Sequence, residues 1–391
     1  MKRLLLGAMF ITLFATGIGC AKIQAQPGLQ VSMNSPGSSV EVSYFYDTLS
    51  PTGEWIDDAT YGWCWTPYDM AAGWRPYSNG HWEYTDYGWS WASDESWGWA
   101  TYHYGRWHFD DTYGWIWVPG SEWAPAWVAW RYGDDCVGWA PLPPSAGWSV
   151  SAGLEFRDAN RIPSHEWCFV PRQHLLDANV RMQVTSVARN STMLSRSHDA
   201  TRFEVRNGRP ANVGFDAVQA ERLVGRHVPT VKIVDVGTPG RGNGRAVAGG
   251  VGFYRPTVKP SPAGHVPVPA ARRSPAPASE LQRQQAVQQR RLASDLAAES
   301  KRLALDQQND LRARAPGPAA DQLRQQHAAE QQAFQAHATQ QRQVLEQRMQ
   351  KQVVKPVQQG RGRPNQGQPQ DRGQGKPAAP DRGNERDKRG K

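Results

Sequence analysis

The chain has 391 residues and a formal net charge of +9, but its composition is too uneven for one uniform globule. All 18 Trp lie between Trp55 and Trp167, whereas residues from about 237 onward hold almost no aromatics and are rich in Gly, Pro, Gln, Arg and Ala. Ser43 to Arg172 carries 17 Asp and Glu against 6 Arg, net −11, and Gln173 to the end carries 36 basic against 18 acidic residues, net +18. A basic average alone would suggest nucleic acid, but an acidic aromatic body joined to a basic tail in an exported chain argues against that partner.

Export is read from residues 1–25. Lys2 and Arg3 precede an apolar run from Leu4 to Ile18, too short to span a bilayer and laid out as a secretory signal. Gly17-Ile18-Gly19-Cys20 resembles a bacterial lipobox, without the usual Leu three residues before the cysteine, and would leave Cys20 as a lipidated N-terminus. Cleavage near Ala25 by an ordinary signal peptidase is the second reading, and a retained anchor the third. The expected location is the periplasm or the outer membrane as a lipoprotein, alternatively the secreted medium. In such an oxidising compartment Cys64, Cys136 and Cys168 are either one disulfide and a thiol or three small buried thiols. Their spacing fits no zinc motif of the CxxC kind.

Residues 43–172 contain a repeat. YGWCW, YGWSW and YGWIW place Tyr61, Tyr87 and Tyr113 at 26-residue intervals, and a Gly-x-Trp element starts 7 or 8 residues before each. A degenerate fourth unit runs through WVAWRYGDDCVGWAPLPP. In GHWEY and GRWHF aromatic and polar residues alternate, the period of a half-buried strand. The Asp residues that follow favour a turn, and Pro67, Pro119 and Pro141 close the units. The expected fold is mainly β, an antiparallel meander of 26-residue Trp-rich hairpins. On Y-G-W-x-W all three rings are expected on one face, with the glycines marking a close approach. Units this poor in Leu, Ile and Val need those rings as core. Ligand stacking is therefore assigned to rings the repeat leaves unexplained: Trp74, Trp97, Trp99, Trp123, Trp127 and Trp130, with Asp94, Glu95, Glu122 and Asp134 beside them to bond sugar hydroxyls.

Residues 173–236 read as a small α+β appendix. VRMQVTSV alternates, Asn207-Gly208 signals a hairpin, and DAVQAERLVG offers Asp216 as N-cap, Gln219 as its capping-box partner and Gly225 as stop. VPTVKIVDV is a further strand. Residues 237–278 read as a Gly/Pro linker, and GRGNGR at 240–245 lacks the strand–helix setting of a phosphate loop. Residues 279–352 read as Gln/Ala/Arg-rich helices, 279–315 and about 319–352, divided by Pro316-Gly317-Pro318. Leu281, Leu292, Leu296, Leu303 and Leu311 form a broken stripe, either a coiled coil that lets chains self-associate or a solvated helix. Residues 353–391 read as a disordered basic tail suited to anionic envelope polymers.

YFYDTLSPTGEW, YGWCWTP, GWRPYSNGHWEYTDYGWSWAS, WGWATYHYGRWHF, YGWIWVPG and VGWAPLPP together resemble a Trp-rich family of exported bacterial proteins of unknown function, found in lipoprotein-like or secreted chains with low-complexity tails. The likeness covers roughly residues 43–235. Because that family has no assigned activity, the resemblance implies no catalytic residues.

Chemistry is sparse in the sequence. His81, His103 and His108 with Asp110 and Asp111 could suggest a metal or acid–base site, but two of the three histidines sit on the polar face of the repeat. The acid pairs at 57/58, 110/111 and 134/135 could bind calcium or act as glycosidase carboxylates, yet as turn residues they need no such role. No GxSxG, HExxH, P-loop or GxGxxG signature occurs, and no cofactor, metal or catalytic residue is expected. The reading is a non-enzymatic envelope protein, with a carbohydrate- or peptidoglycan-binding module as the alternative and a hydrolase behind it. Its partners would be an envelope glycan or anionic polymer, and a membrane if Cys20 carries lipid.

Overall fold

The YGW phrase is organised by its turn. Asp58 Oδ1 accepts the backbone N–H groups of Thr60 and Tyr61, and Asp110 Oδ1 those of Thr112 and Tyr113. In the second unit Thr85 Oγ1 does the same for Tyr87. The residue that follows is Gly62, Gly88 or Gly114, at φ of 72°, 80° and 70°. That left-handed backbone costs an L side chain about 1–2 kcal/mol. The glycine is thus required by the turn. The expected close approach exists chiefly at Gly88, where an added Cβ would meet Asn212 O at 2.1 Å, while at Gly62 nothing lies within 4 Å. In the third unit the turn also takes the Tyr off the tryptophan face. Tyr113 packs with Ile56, Cys64 and Ile116, away from Trp115 and Trp117, so the third unit has a two-ring face in place of the expected three-ring one, whereas Tyr87 is buried in the main core with Trp89 and Trp91.

A computed structural model describes residues 39–354, apart from 69, 71, 72, 157, 240–242, 260–277 and 314–316. Residues 1–38, with the expected signal segment and Cys20, and residues 355–391, with most of the expected disordered tail, lie outside the described residues. β1 (Ser39–Glu41) and α1 (Ser43–Leu49) lead into four hairpins. These are β2 (Gly53–Asp58) with β3 (Gly62–Pro67), β4 (Gly80–Thr85) with β5 (Gly88–Ser93), then, after α2 (Gly98–Thr101), β6 (Arg106–Asp110) with β7 (Gly114–Val118), and β8 (Val128–Gly133) with β9 (Cys136–Pro141). All four share one register, with Trp55 opposite Trp65, Trp82 opposite Trp91, Trp107 opposite Trp117 and Trp130 opposite Trp139. Such cross-strand ring pairs add about 0.5–1.5 kcal/mol each beyond the area they bury.

The remainder comprises β10 (Gly147–Ser149), β11 (Gly153–Glu155), β12 (Cys168–Pro171), α3 (Asn190–Ser195), β13 (Ser197–Asp199), β14 (Phe203–Arg206), β15 (Arg209–Asn212), α4 (Ala217–Val224), β16 (Ile233–Asp235), β17 (Arg245–Val247), β18 (Gly250–Phe253), β19 (Thr257–Lys259), α5 (Ala278–Arg312) and α6 (Pro318–Val354). The fold class is the expected one, mainly β built from antiparallel hairpins and followed by two long helices. The hairpins are distributed over three sheets and do not run on as one meander: β2-β3-β7-β6, β14-β15-β5-β4 and β12-β9-β8-β13. Two expected boundaries change. Residues 173–236 are no separate appendix, because β15 joins β5 and Ala211, Val213 and Phe215 enter the main core. Residues 243–259, expected as linker, supply β17 to β19 and bury Val251, Phe253, Tyr254 and Val258. Their alternating Val and aromatic residues were masked by the Gly and Pro around them. VRMQVTSV forms no strand; a 3-10 turn at Val187–Arg189 stands at its end. The Asn207-Gly208 hairpin, the Asp216/Gln219 capping box and the Gly225 stop are all present.

Tryptophan is the core residue for a reason that area alone does not supply. The segments outside the repeat hairpins are irregular or end short helices, and their carbonyls have no ladder partner. Indole N–H groups reach them. Trp65 donates to Leu49 O (3.1 Å), Trp107 to Thr101 O (2.9 Å), Trp117 to Tyr104 O (2.7 Å), Trp139 to Tyr77 O (2.9 Å) and Trp89 to Phe215 O (2.9 Å). A Leu would leave part of that volume empty and would remove the indole donor, at about 1–3 kcal/mol for each carbonyl that has no other donor.

Candidate functional site

The structure places five of the six rings proposed for ligand stacking in the core, which corrects the expectation that they stand exposed. Trp130 is the first-strand ring of the fourth hairpin, and its indole donates to Asn212 Oδ1 at 3.0 Å. It belongs to the repeat, as its offset to Trp139 could have shown. Trp97 sits among Trp65, Trp74 and Tyr102. Trp99 packs on Phe45 and Tyr254. Trp123 stacks on buried His103, whose ring burial holds down to about 4. Trp127 lies under the Arg106 guanidinium at 3.5 Å and donates to His103 O. These rings were unexplained because the loops that cover them have no periodicity.

Two of their four polar neighbours are engaged as well, while Glu122 and Asp134 are exposed. Glu95 accepts Trp74 Nε1 (3.1 Å), Ser93 Oγ (2.7 Å) and Tyr102 OH (3.1 Å), and burial raises its carboxyl above the ordinary range. Asp94 accepts Asn179 Nδ2 at 2.6 Å. Among the described residues no three His, Cys, Asp or Glu converge as metal ligands. Cys64, Cys136 and Cys168 are separate buried thiols, and burial, reinforced by nearby Asp charges, pushes the first two up to about 12.

Trp74 alone is only half-buried, and it lines a cleft of about 100 Å³ between the first sheet and the helical pair. The body contributes Trp74, Phe109 and Trp115, and the helices contribute Arg291, Leu292, Val344 and Arg348. Burial lowers the Arg348 guanidinium, while Glu54 counteracts it. Rings beside two guanidinium groups suit the apolar face and the anionic or hydroxyl edge of a polar ligand.

The cleft exists because the helices dock on the body. Arg189 meets Asp310 (2.7 Å), Asp306 (3.6 Å) and Glu330 (3.9 Å), the last only 2 % exposed. Glu299 accepts Ser186 Oγ (2.7 Å) and Val187 N (3.2 Å), and Arg302 donates to Val184 O (3.0 Å). Leu292, Leu296 and Leu303 close on Phe334, Ala338 and Ala188. Three leucines of the stripe expected for self-association, Leu292, Leu296 and Leu303, are thus buried within the chain, while Leu281 and Leu311 stay half-buried. Arg189, Glu299 and Glu330 are site residues that the sequence reading missed. The spacing of Glu299, Asp306 and Asp310 along one side of α5 was the available signal. No helix among the described residues is long and apolar enough to cross a membrane.

A family model described as a family of unknown function (DUF6600) matches residues 46–146, from α1 through the fourth hairpin. No curated protein and no solved structure matches the chain.

Proposed function

We propose that this chain is a non-enzymatic, exported protein of the bacterial cell envelope, a rigid Trp-cored scaffold that carries a binding cleft under a docked helical hairpin. The observation that carries this reading is the use of the aromatic and acidic groups inside the fold. The rings and indole donors tie loops to hairpins, and Asp58 and Asp110 close turns. Export rests on Lys2, Arg3 and the apolar run to Ile18. Membrane attachment through a lipid on Cys20 is part of the proposal, with cleavage near Ala25 as its competitor. Fractionation tests it: Cys20→Ser releases a lipoprotein from the membrane, and unchanged membrane association sinks the lipid reading.

A second reading, binding of envelope glycan such as peptidoglycan, is favoured by one observation, the half-buried Trp74 beside Arg291 and Arg348. The full chain should co-sediment with purified sacculi, and Trp74→Ala with Arg348→Gln should lower that binding at least tenfold. Equal binding by the double variant would move the ligand elsewhere, and no binding by the wild type would end the glycan reading.

A further inference from the structure

One side of helix α5 carries only cations among its charged residues, while Arg291 and Arg302 lie towards the acids on the other side. Residues advance about 100° each around an α-helix, so Arg290, Lys301 and Arg312 fall within about 40° of one another on one line. Between Val287 and Arg312 the acids are Asp295, Glu299, Asp306 and Asp310, and they lie about 120–180° away. The acid side faces the body, where Glu299, Asp306 and Asp310 meet Ser186, Val187 and Arg189. The basic side faces solvent, with Arg290, Lys301 and Arg312 all exposed. The same side carries two exposed aliphatic residues, Val287 at 43 % and Leu305 at 50 %.

Helix α6 provides the contrast within the same molecule. Its exposed Arg324 pairs with Asp321, and Arg342 has Glu346 four residues on. α5 has such pairs on its other sides, Arg291 with Asp295 and Arg302 with Asp306, but Arg290, Lys301 and Arg312 on the outward line have no acid three or four residues away. Beside the basic line a shallow groove of about 600 Å³ opens between the helices, with Leu305 and Leu311 along it and Lys301 and Arg324 at its edge. From Arg290 to Arg312 the line runs roughly 33 Å at about 1.5 Å per residue.

We propose that the outward face of α5 docks on an anionic phospholipid surface. The cations meet lipid phosphates while Val287 and Leu305 enter the headgroup boundary, the combination that distinguishes a bilayer from a soluble polyanion. This goes beyond the scaffold reading and stands whether or not the cleft binds glycan. Removing three cations from such a surface lowers partition by roughly 100-fold.

The experiment sediments the full chain with vesicles of phosphatidylglycerol and phosphatidylcholine, and with phosphatidylcholine alone, at fixed salt. The anionic-over-neutral ratio removes any contribution from the N-terminal apolar segment. Three variants accompany the wild type: R290Q/K301Q/R312Q, the charge-matched R361Q/R363Q/R372Q and V287S/L305S. The expected result is a roughly 100-fold fall in the ratio for the helix triple, a much smaller fall for the tail triple, and weaker partition for V287S/L305S. Equal losses in the two triples would reduce the effect to net charge and overturn the proposal. So would unchanged partition of V287S/L305S together with tight binding to soluble polyphosphate. Far-UV circular dichroism verifies that the exposed substitutions leave the fold intact.

Discussion

Two tryptophans separate the two contributions assigned to the core rings. Trp117 and Trp82 are both buried and both stand in cross-strand Trp pairs. Trp117 Nε1 donates to Tyr104 O at 2.7 Å, whereas Trp82 Nε1 is buried without a partner. Replacing either by Phe leaves a void of roughly 40 Å³, which at about 24 cal/mol per Å³ costs ~1 kcal/mol if it stays open. Trp117→Phe also strands the Tyr104 carbonyl, adding about 1–3 kcal/mol, while Trp82→Phe removes an unsatisfied donor and recovers part of its void cost. The expected destabilisation is therefore about 2–4 kcal/mol for Trp117→Phe and about 0–1 kcal/mol for Trp82→Phe. Urea unfolding followed by far-UV circular dichroism measures both, with unchanged m-values showing that the denatured state is the same. Equal midpoint shifts would refute the claim that indole hydrogen bonds, beyond ring burial, explain the choice of Trp.

Arg189→Ala leaves Glu330 buried without its cation, and the lost docking of α5 and α6 should amount to about 3–5 kcal/mol. Amide exchange should rise in both helices while the four hairpins stay protected, and a uniform rise would contradict a separable docking contact. Gly88→Ala should destabilise more than Gly62→Ala, since both lose a left-handed glycine but only Gly88 also meets Asn212 O, and melting temperatures in the reverse order would be inconsistent with the turn geometry. Burial pushes the Glu166 carboxyl from its ordinary 4.5 up to about 7. Its folded value exceeds its unfolded value, so its contribution is complete below about pH 4.5 and is lost as pH rises through 7. Glu166→Gln, which mimics the protonated form, should be stabilising by up to roughly 3 kcal/mol above pH 7 and nearly neutral near pH 4. A constant difference across that range in pH-dependent melting would remove the assignment.

What could be read in advance was whatever has a period or a local rule. The hairpins followed from Trp–x–Trp alternation with Asp and Gly at the turn, and α4 from Asp216, Gln219 and Gly225, because each depends on residues within a few positions. The sheet partners did not follow. Nothing local to Gly88 announces Asn212, and nothing around Val251 and Phe253 outweighs the neighbouring glycines and prolines. The candidate site failed for the same reason. Exposure of Trp97 or Trp127 is decided by loops that fold over them, and those loops carry no pattern. Trp74 stayed legible as unexplained, while Arg189 and the inward acids of α5 needed the helix to be seen against the body.

The family match stops at residue 146, but the chemistry of the matched rings does not. Trp89 donates to Phe215 O, Trp130 to Asn212 Oδ1, and Tyr104 OH to Pro256 O at 2.7 Å. Val213, Phe215, Val251 and Phe253 share the core with hairpin tryptophans. Cut at its matched boundaries, the segment would expose these rings and leave their indole donors without acceptors, each at about 1–3 kcal/mol, against a total stability of about 5–15 kcal/mol for a domain. A fragment of residues 46–146 should therefore fail to unfold cooperatively, whereas 39–259 should retain one sharp transition by circular dichroism. A sharp transition in the shorter fragment would mean that the four hairpins close a core by themselves, and that the contacts from residues 203–256 only decorate it.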